Sequence, residues 1–273
     1  MRKLLSDSFA VTAEITPPVS GSANALFALT DPLKDCVDAI VVTEGPISRS
    51  IMSTLASSAL LVSQGIEPVF QLSCRDRNRS ALIADLLGAA AQGIHNILIL
   101  RGETPGGGEP LLANPVFDTE SHELIRMAAK MTGDGVLPIS AMKMTSSGVE
   151  SLSRSIESPP HFFIGATESV DLEQIEHLTR KIEAGAQFIQ TRMCFDVTAI
   201  KLYVEFLDHR GLLDRSFVLV GVGVLSSANS ALWVRDHMPR VLVPDAVIKR
   251  LELAQDATEE GINISSEIVQ QLK

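Results

Sequence analysis

The sequence predicts an α/β fold, a (β/α)8 TIM barrel, and three observations support this prediction. Short apolar runs recur along the 273 residues, and most of them end in a polar or charged residue followed by a turn. Stretches with the spacing of amphipathic helices lie between most of the runs. No linker or repeat divides the chain, and its length suits a barrel of about 250 residues. We therefore expect a single TIM-barrel domain over residues 1–273.

Seven apolar runs predict the strands, and the stretches between them predict helical crossovers. The predicted strands, in chain order, are 9–15, 39–42, 69–72, 97–100, 162–166, 188–191 and 217–222. Helical spacing is clearest over residues 81–91 and 175–182. Because strand and helix alternate, we expect parallel strands whose carboxyl ends gather on one face, where barrel enzymes carry out their chemistry. The polar residues expected there are Glu14, Thr43, Glu44, Gln71, Arg101, Glu103 and Arg192.

Composition excludes several classes of function. The net charge of -10 argues against a nucleic-acid surface, which needs clustered Lys and Arg. The apolar segment near the amino terminus is too short and too broken for a signal peptide or a membrane span, so we expect a cytoplasmic protein that does not bind membranes. Three cysteines without a C-x-x-C pair and six scattered histidines argue against a metal site or a disulfide.

Two segments carry charge where buried strands are predicted to end. Arg101 and Glu103 open a glycine-rich stretch over residues 101–110, which predicts either a backbone that approaches a planar or phosphorylated ligand or a flexible surface loop. Glu14 lies in an otherwise apolar strand, where desolvation would raise the pKa of its carboxyl and suit it to proton donation. The alternative is a carboxylate paired with Arg101 or Arg192.

Other residues carry weaker signals. Cys74 is predicted to be a structural residue, and Asp85 to be bonded locally within its helix. Tyr203 and Trp233 are predicted to be packing residues. The turn at 221–226 has only two of the glycines of a dinucleotide-binding fingerprint and favours a tight turn within the barrel. The basic pair at 180–181 predicts solvated helix ends, with binding of a cofactor phosphate as the alternative.

Several motifs together resemble the methylenetetrahydrofolate reductase family, flavoproteins that reduce the one-carbon methylene of folate to methyl. They span nearly the whole chain, in the order found in the family, and comprise residues 13–18, 42–45, 71–74, 100–103, 184–192 and 221–224. The resemblance implies catalytic roles for Glu14, as the general acid, and for Glu103, which replaces an aspartate beside flavin and folate. It implies cofactor contacts for Thr43, Gln71, Arg101, Gly102, Glu103, Arg180 and Lys181, the last two at the phosphate, and substrate contacts for Glu14, Glu103 and Arg192.

The function implied by the resemblance is reduction of 5,10-methylenetetrahydrofolate to 5-methyltetrahydrofolate, or the reverse oxidation. FAD, with FMN as the alternative, would be the cofactor and NADH or NADPH the co-substrate, in one-carbon metabolism and methionine biosynthesis. We expect a homo-oligomer or a complex with a partner subunit. The alternative function is a folate-binding methyltransferase-type barrel, or a flavin-free or non-catalytic paralogue acting as a subunit of a redox or methyl-transfer complex.

The chain departs from the family in three places. Arg192 stands where a glutamine usually bonds the pterin, so a group that donates and accepts becomes one that only donates. The segment after Gly165 lacks the tyrosine and histidine that usually help to hold FAD, which favours weaker binding of FAD or FMN. The sequence stops at Lys273, before an eighth strand. We expect either that the sequence is a shortened one or that residues 136–142 help to close the barrel.

Overall fold

The computed structural model describes residues 8–45, 50–103, 114–138, 141–145, 148–152, 154–238 and 240–273. The strands are β1 (Thr12–Ile15), β2 (Ala39–Val42), β3 (Pro68–Ser73), β4 (Asn96–Leu100), β5 (Ala141–Thr145), β6 (Gly148–Leu152), β7 (Phe163–Glu168), β8 (Phe188–Met193) and β9 (Phe217–Gly221). The helices are α1 (Ala23–Thr30), α2 (Thr54–Ser63), α3 (Arg79–Ala91), α4 (Ser121–Gly133), α5 (Ile175–Glu183), α6 (Val197–His209), α7 (Ala228–His237), α8 (Asp245–Leu253) and α9 (Ala257–Leu272).

Seven parallel strands form one sheet in the order β1-β2-β3-β4-β7-β8-β9. With helices between them, they have the topology of an incomplete (β/α)8 barrel, which confirms the predicted fold class for the described part of the chain. Residues 136–142 do not supply a further strand of this sheet where they are described. Ala141 and Met142 belong to β5, which pairs antiparallel with β6, and Val136 bridges to Ser155.

The chain divides into two compact units. Unit 1 comprises Met1–Ala166 and Ala184–Ala186, and unit 2 comprises Thr167–Glu183 and Gln187–Lys273. The single domain over residues 1–273 stays a prediction.

The core of unit 1 is built on β2, β3 and β4. Their apolar runs are continuous rather than alternating, as expected for parallel strands covered on both faces. All residues of β2 and β3 are buried. Helices pack beside these strands through apolar positions at helical spacing, such as Leu82 and Leu86 of α3. Asn78 caps α3 by accepting from the Ala81 amide at 3.0 Å, which fixes where the helix begins after β3.

Unit 2 has its own buried packing contacts, which involve α5 and α9. Ile175, Leu178 and Ile182 form the apolar face of α5, which confirms the predicted spacing. In α9, the Ser265 hydroxyl donates to the Gly223 carbonyl at 2.7 Å, and Gly261 lies directly against the Leu225 carbonyl. These contacts pack α9 against the segment that follows β9.

Some predicted boundaries and packing roles are wrong. The first strand begins at Thr12 rather than at residue 9, because Phe9 and Val11 are exposed and lie outside the sheet. The strand predicted over 188–191, which is β8, extends to Met193, so Arg192 lies within it. Tyr203 is buried as predicted, whereas Trp233 is 56% exposed and stacks on the His237 ring.

Candidate functional site

The carboxyl ends of β1 to β4 lie side by side in unit 1. The Thr43 amide, just after β2, donates to the Ile15 carbonyl of β1 at 3.0 Å. The Cys74 amide, just after β3, donates to the Leu100 carbonyl of β4 at 3.0 Å. These bonds bring together the predicted site residues of four strands, namely Glu14, Thr43, Gln71, Arg101, Gly102 and Glu103.

Gln71 has a fixed amide orientation. Its side chain is buried, and its Oε1 accepts from the Glu44 backbone amide at 3.1 Å. Because an N–H group must meet the oxygen rather than the nitrogen of the amide, this bond fixes the orientation of the amide and so the position of its NH2 group.

Glu44 belongs to a buried network that the sequence did not reveal in full. Its side chain is only 10% exposed, and its Oε1 lies 2.8 Å from Arg77 Nη1. Arg77 Nε lies 2.9 Å from Asp85 Oδ2, so one guanidinium serves two carboxylates. Burial raises the pKa of both carboxyls, and the charge of Arg77 opposes that rise. Asp85, predicted to bond within its helix, instead pairs with a residue that precedes α3.

Arg75 fills the space beneath Gly102. Its guanidinium donates to both carboxylate oxygens of Asp76 and to the Gly45 carbonyl, at 2.7 to 2.8 Å. Those bonds to Asp76 raise the pKa of Arg75. Gly102 has a φ of +87°, and a Cβ there would lie 2.5 Å from Ser73 Oγ and 2.6 Å from Arg75 Cβ. Packing within the protein therefore suffices to require a glycine at this position.

Arg101 and Glu103 lie at the surface after β4. The Arg101 guanidinium stacks over the Phe117 ring at 4.5 Å, and its Nε lies 3.4 Å from Glu120 Oε2. Glu103 is exposed, and its charge contributes to raising the pKa of Arg75. The triple glycine at 106–108 lies outside the described residues, so its predicted role stays a prediction.

Glu14 does not have the buried environment predicted for it. It pairs in register with Val41 of β2, but its side chain is exposed. The prediction that protein atoms desolvate this carboxylate is therefore wrong. The exposed position leaves Glu14 accessible to a ligand, and a bound ligand could itself exclude water from the carboxylate.

The remaining predicted site residues belong to unit 2. Arg192 is half-buried in β8. Arg180 is an exposed residue of the last turn of α5, as predicted, whereas the Lys181 side chain is 5% exposed. Lys181 Nζ donates to the Thr167 carbonyl at 2.6 Å and to Glu168 Oε2 at 3.1 Å. The prediction of a solvated end is thus wrong for Lys181.

The sequence pattern indicates where the site residues lie in the strands better than it indicates which side chains pair with one another. The alternating charges of Arg75, Asp76 and Arg77, placed directly after a buried strand, are a signal that could have identified that part of the site. Cys74 lies beside them, and burial raises its thiol pKa to about 12. Such a thiol is unreactive at neutral pH, in agreement with the structural role predicted for it.

The donors of unit 1 are chemically suited to a flavin ring. The Gln71 NH2 group and the Arg101 guanidinium can donate to the carbonyl and nitrogen acceptors of a planar heteroaromatic ligand. The Thr43 hydroxyl, which donates to Thr16 Oγ1 at 3.4 Å, would have to rotate to do the same. No cluster of three or more His, Cys, Asp or Glu in the described part of the chain could hold a metal ion. No helix within the same residues is long and apolar enough to cross a bilayer.

In the part of the chain that the structure describes, seven parallel strands in sequential order, with helices between them and polar side chains at their carboxyl ends, place the protein in the class of (β/α)8 barrels, here an incomplete one. The model of the methylenetetrahydrofolate reductase family matches residues 1–273, and the chain belongs to that family. This confirms the resemblance seen in the sequence motifs. No curated protein matches the sequence.

Solved structures resemble the chain in fold. An uncharacterized protein from Clostridium thermocellum, described as binding two copies of 5-methyl-5,6,7,8-tetrahydrofolic acid, has a TM-score of 0.63 at 11% identity. The similarity covers 99% of this chain and 85% of that one. An oxaloacetate acetylhydrolase in complex with oxalate covers 99% of this chain and 95% of its own at 10% identity, but its TM-score of 0.47 supports no argument.

Proposed function

We propose that the protein reduces 5,10-methylenetetrahydrofolate to 5-methyltetrahydrofolate, using a flavin and NADH or NADPH, in one-carbon metabolism and methionine biosynthesis. The family match over residues 1–273 is the observation that carries this proposal. The structural relative described as binding 5-methyltetrahydrofolic acid supports a folate ligand. A cytoplasmic location, and assembly as a homo-oligomer or with a partner subunit, stay predictions.

The side chains of unit 1 have distinct roles in this proposal. Thr43, Gln71 and Arg101 hold the ring of the cofactor by donating hydrogen bonds to its acceptors. FAD, with FMN as the alternative, supplies hydride transfer when it is bound. Glu14 donates the proton that opens the five-membered ring of the folate, and its exposed carboxylate is accessible for that role. Glu103 orients the folate from the end of β4.

Absorbance of the freshly purified protein near the flavin band tests the cofactor. We expect either a bound flavin or uptake of added FAD or FMN, together with oxidation of NADH by an artificial acceptor. A colourless protein that takes up neither flavin at high micromolar concentration would rule out this function.

A second function has one observation in its favour. The Lys181 amine, expected from the resemblance to bind cofactor phosphate, is instead bonded to two oxygens of the protein. This arrangement suits a flavin-free folate-binding barrel, or a non-catalytic subunit, that handles the one-carbon unit without redox chemistry. Such a protein would bind 5-methyltetrahydrofolate in equilibrium dialysis while taking up no flavin.

A further inference from the structure

A buried ion pair joins the carboxyl end of β7 to α5 within unit 2. Lys181 Nζ lies 3.1 Å from Glu168 Oε2, and the two side chains are only 5% and 7% exposed. The same ammonium donates to the Thr167 carbonyl at 2.6 Å. Two of its three N–H donors are therefore bonded to the protein.

Glu168 is surrounded by donors. Besides Lys181, the Ser169 amide donates to Oε1 at 3.1 Å, and His177 Nδ1 lies 2.9 Å from Oε2. A carboxylate can only accept, so the proton of this last bond lies on Nδ1 of the histidine. Burial lowers the pKa of Lys181, and the neighbouring carboxylate opposes that change. The buried ammonium and the buried carboxylate thus neutralise each other's charge.

A phosphate bound to the third N–H of Lys181 would lie close to the carboxylate of Glu168, because the ammonium and that carboxylate are 3.1 Å apart. Repulsion between two anions is strong at short distance in a partly desolvated site. The buried position of the ammonium adds a steric obstacle, because the side chain is 95% covered. The local charge therefore disfavours the role that the resemblance implies for Lys181.

The position of Lys181 in its helix leads to the same conclusion. Arg180 and Lys181 lie in the last turn of α5, where the helix dipole is negative. Cations stabilise that end of a helix, which accounts for a basic pair there without any ligand. Bound phosphates are favoured at the opposite end, the helix N-terminus.

We propose that Lys181 is the buried counter-ion of Glu168, fixing β7 to α5, and takes no part in binding a cofactor phosphate. The statement about phosphate rests on the proposed flavin-dependent function. The ion pair itself does not depend on that function, so separate measurements test the two.

Flavin affinity tests the first part. We would titrate FAD, FMN and riboflavin by fluorescence quenching into the wild type, Lys181→Met, Glu168→Gln, and the double variant Lys181→Met with Glu168→Gln. The double variant removes the ammonium without leaving a buried charge, and such neutral replacements are tolerated in folded proteins. We expect each Kd to stay within twofold of the wild type. A tenfold loss of affinity for FAD, without a loss for riboflavin, would overturn the proposal.

Thermal unfolding of the same proteins without cofactor tests the ion pair. Lys181→Met should lower the Tm by roughly 10 °C, because it leaves Glu168 without its buried cation. The double variant should recover part of that loss. Arg235→Met, which breaks an exposed pair with Asp245, is the control and should change the Tm by no more than about 2 °C.

Additive effects of Lys181→Met and Glu168→Gln on the Tm would show that the two residues are not coupled, and would overturn the ion pair. If the wild type bound none of the three flavins, the proposed function would fail. The Tm values of the wild type, the two single variants and the double variant would still decide whether Lys181 is the counter-ion of Glu168.

Discussion

At the strand ends of unit 1, the protein partners of each side chain determine which of its hydrogen-bonding groups it can present to a ligand. The amide of Gln71 has a fixed orientation because its oxygen accepts from the Glu44 amide. Arg101 is half-exposed and rests on Phe117, so its guanidinium is oriented before any ligand binds. Glu14 is exposed, so its carboxyl group is accessible to a bound substrate.

Glu14→Gln should separate the two halves of the reaction. Loss of the general acid should slow folate reduction by roughly 100-fold or more, while reduction of bound flavin by NADH changes little. Stopped-flow absorbance of each half-reaction measures this, with Glu252→Gln on the exposed side of α8 as a matched control. An equal loss in both halves would assign Glu14 a structural role.

Arg192→Gln should increase the rate of folate reduction and leave flavin reduction by NADH within about twofold. The substitution replaces a cation, which only donates hydrogen bonds, with an amide that donates and accepts. Rates measured from pH 5 to 9 would test this, with the exposed Arg210→Gln as the control. Abolished folate turnover at every pH would contradict it, and would make Arg192 a direct ligand of the substrate.

Arg77 links two secondary-structure elements of unit 1, because it pairs with Glu44 at the end of β2 and with Asp85 in α3. The same guanidinium thus fixes the segment whose backbone amide orients Gln71. Regular spacing in the sequence indicates where these elements begin and end, but it does not indicate which cation pairs with which carboxylate. That choice depends on how the strands pack, which explains why this network was not predicted.

Arg77→Met should lower the free energy of unfolding by about 3 kcal/mol at pH 7, because two carboxylates lose a shared, largely buried cation. Arg79→Met is the matched control: Arg79 pairs with Asp118 in a pair whose side chains are 50% and 37% exposed, so its loss should cost less than about 1 kcal/mol. Urea denaturation measures both values. Equal costs would show that the Arg77 network adds no stability.

The cost of Arg77→Met should also depend on pH. The folded-state pKa values of Glu44 and Asp85 already lie above their ordinary values of 4.5 and 3.8, so protonation of either group favours the folded state. Removal of Arg77 should raise both pKa values further. The destabilisation should therefore be largest at pH 7 and diminish as the pH falls toward 5, and a cost that increases on acidification would contradict this.

Gly261→Ala should destabilise unit 2 by about 1 to 3 kcal/mol, because the new methyl group would overlap the Leu225 carbonyl against which α9 packs. Gly133→Ala, at the end of α4, is the control, since no atom beyond its chain neighbours and the backbone of its own helix lies within 4 Å of the position its Cβ would take. We expect Gly133→Ala to be neutral or slightly stabilising in chemical denaturation. A neutral Gly261→Ala would show that α9 can shift away from Leu225.

Over the whole molecule, alternation of apolar runs and helical spacing was enough to predict parallel strands with helical crossovers and the α/β class. The bounds of β2 were predicted correctly because its run is apolar throughout and polar residues flank it. The start of β1, the exposure of Trp233 and the burial of Lys181 were not predicted. Each depends on which surfaces the other elements cover, and local periodicity carries little information about that.

The central claim is reduction of methylenetetrahydrofolate through a bound flavin, and anaerobic half-reactions of the flavin-loaded protein test it most directly. NADH or NADPH should bleach the flavin band, and 5,10-methylenetetrahydrofolate should then restore it, with 5-methyltetrahydrofolate detected by mass spectrometry in an amount equal to the flavin reoxidised. A flavin band that does not recover on addition of the folate, or that recovers without formation of 5-methyltetrahydrofolate, would contradict the claim.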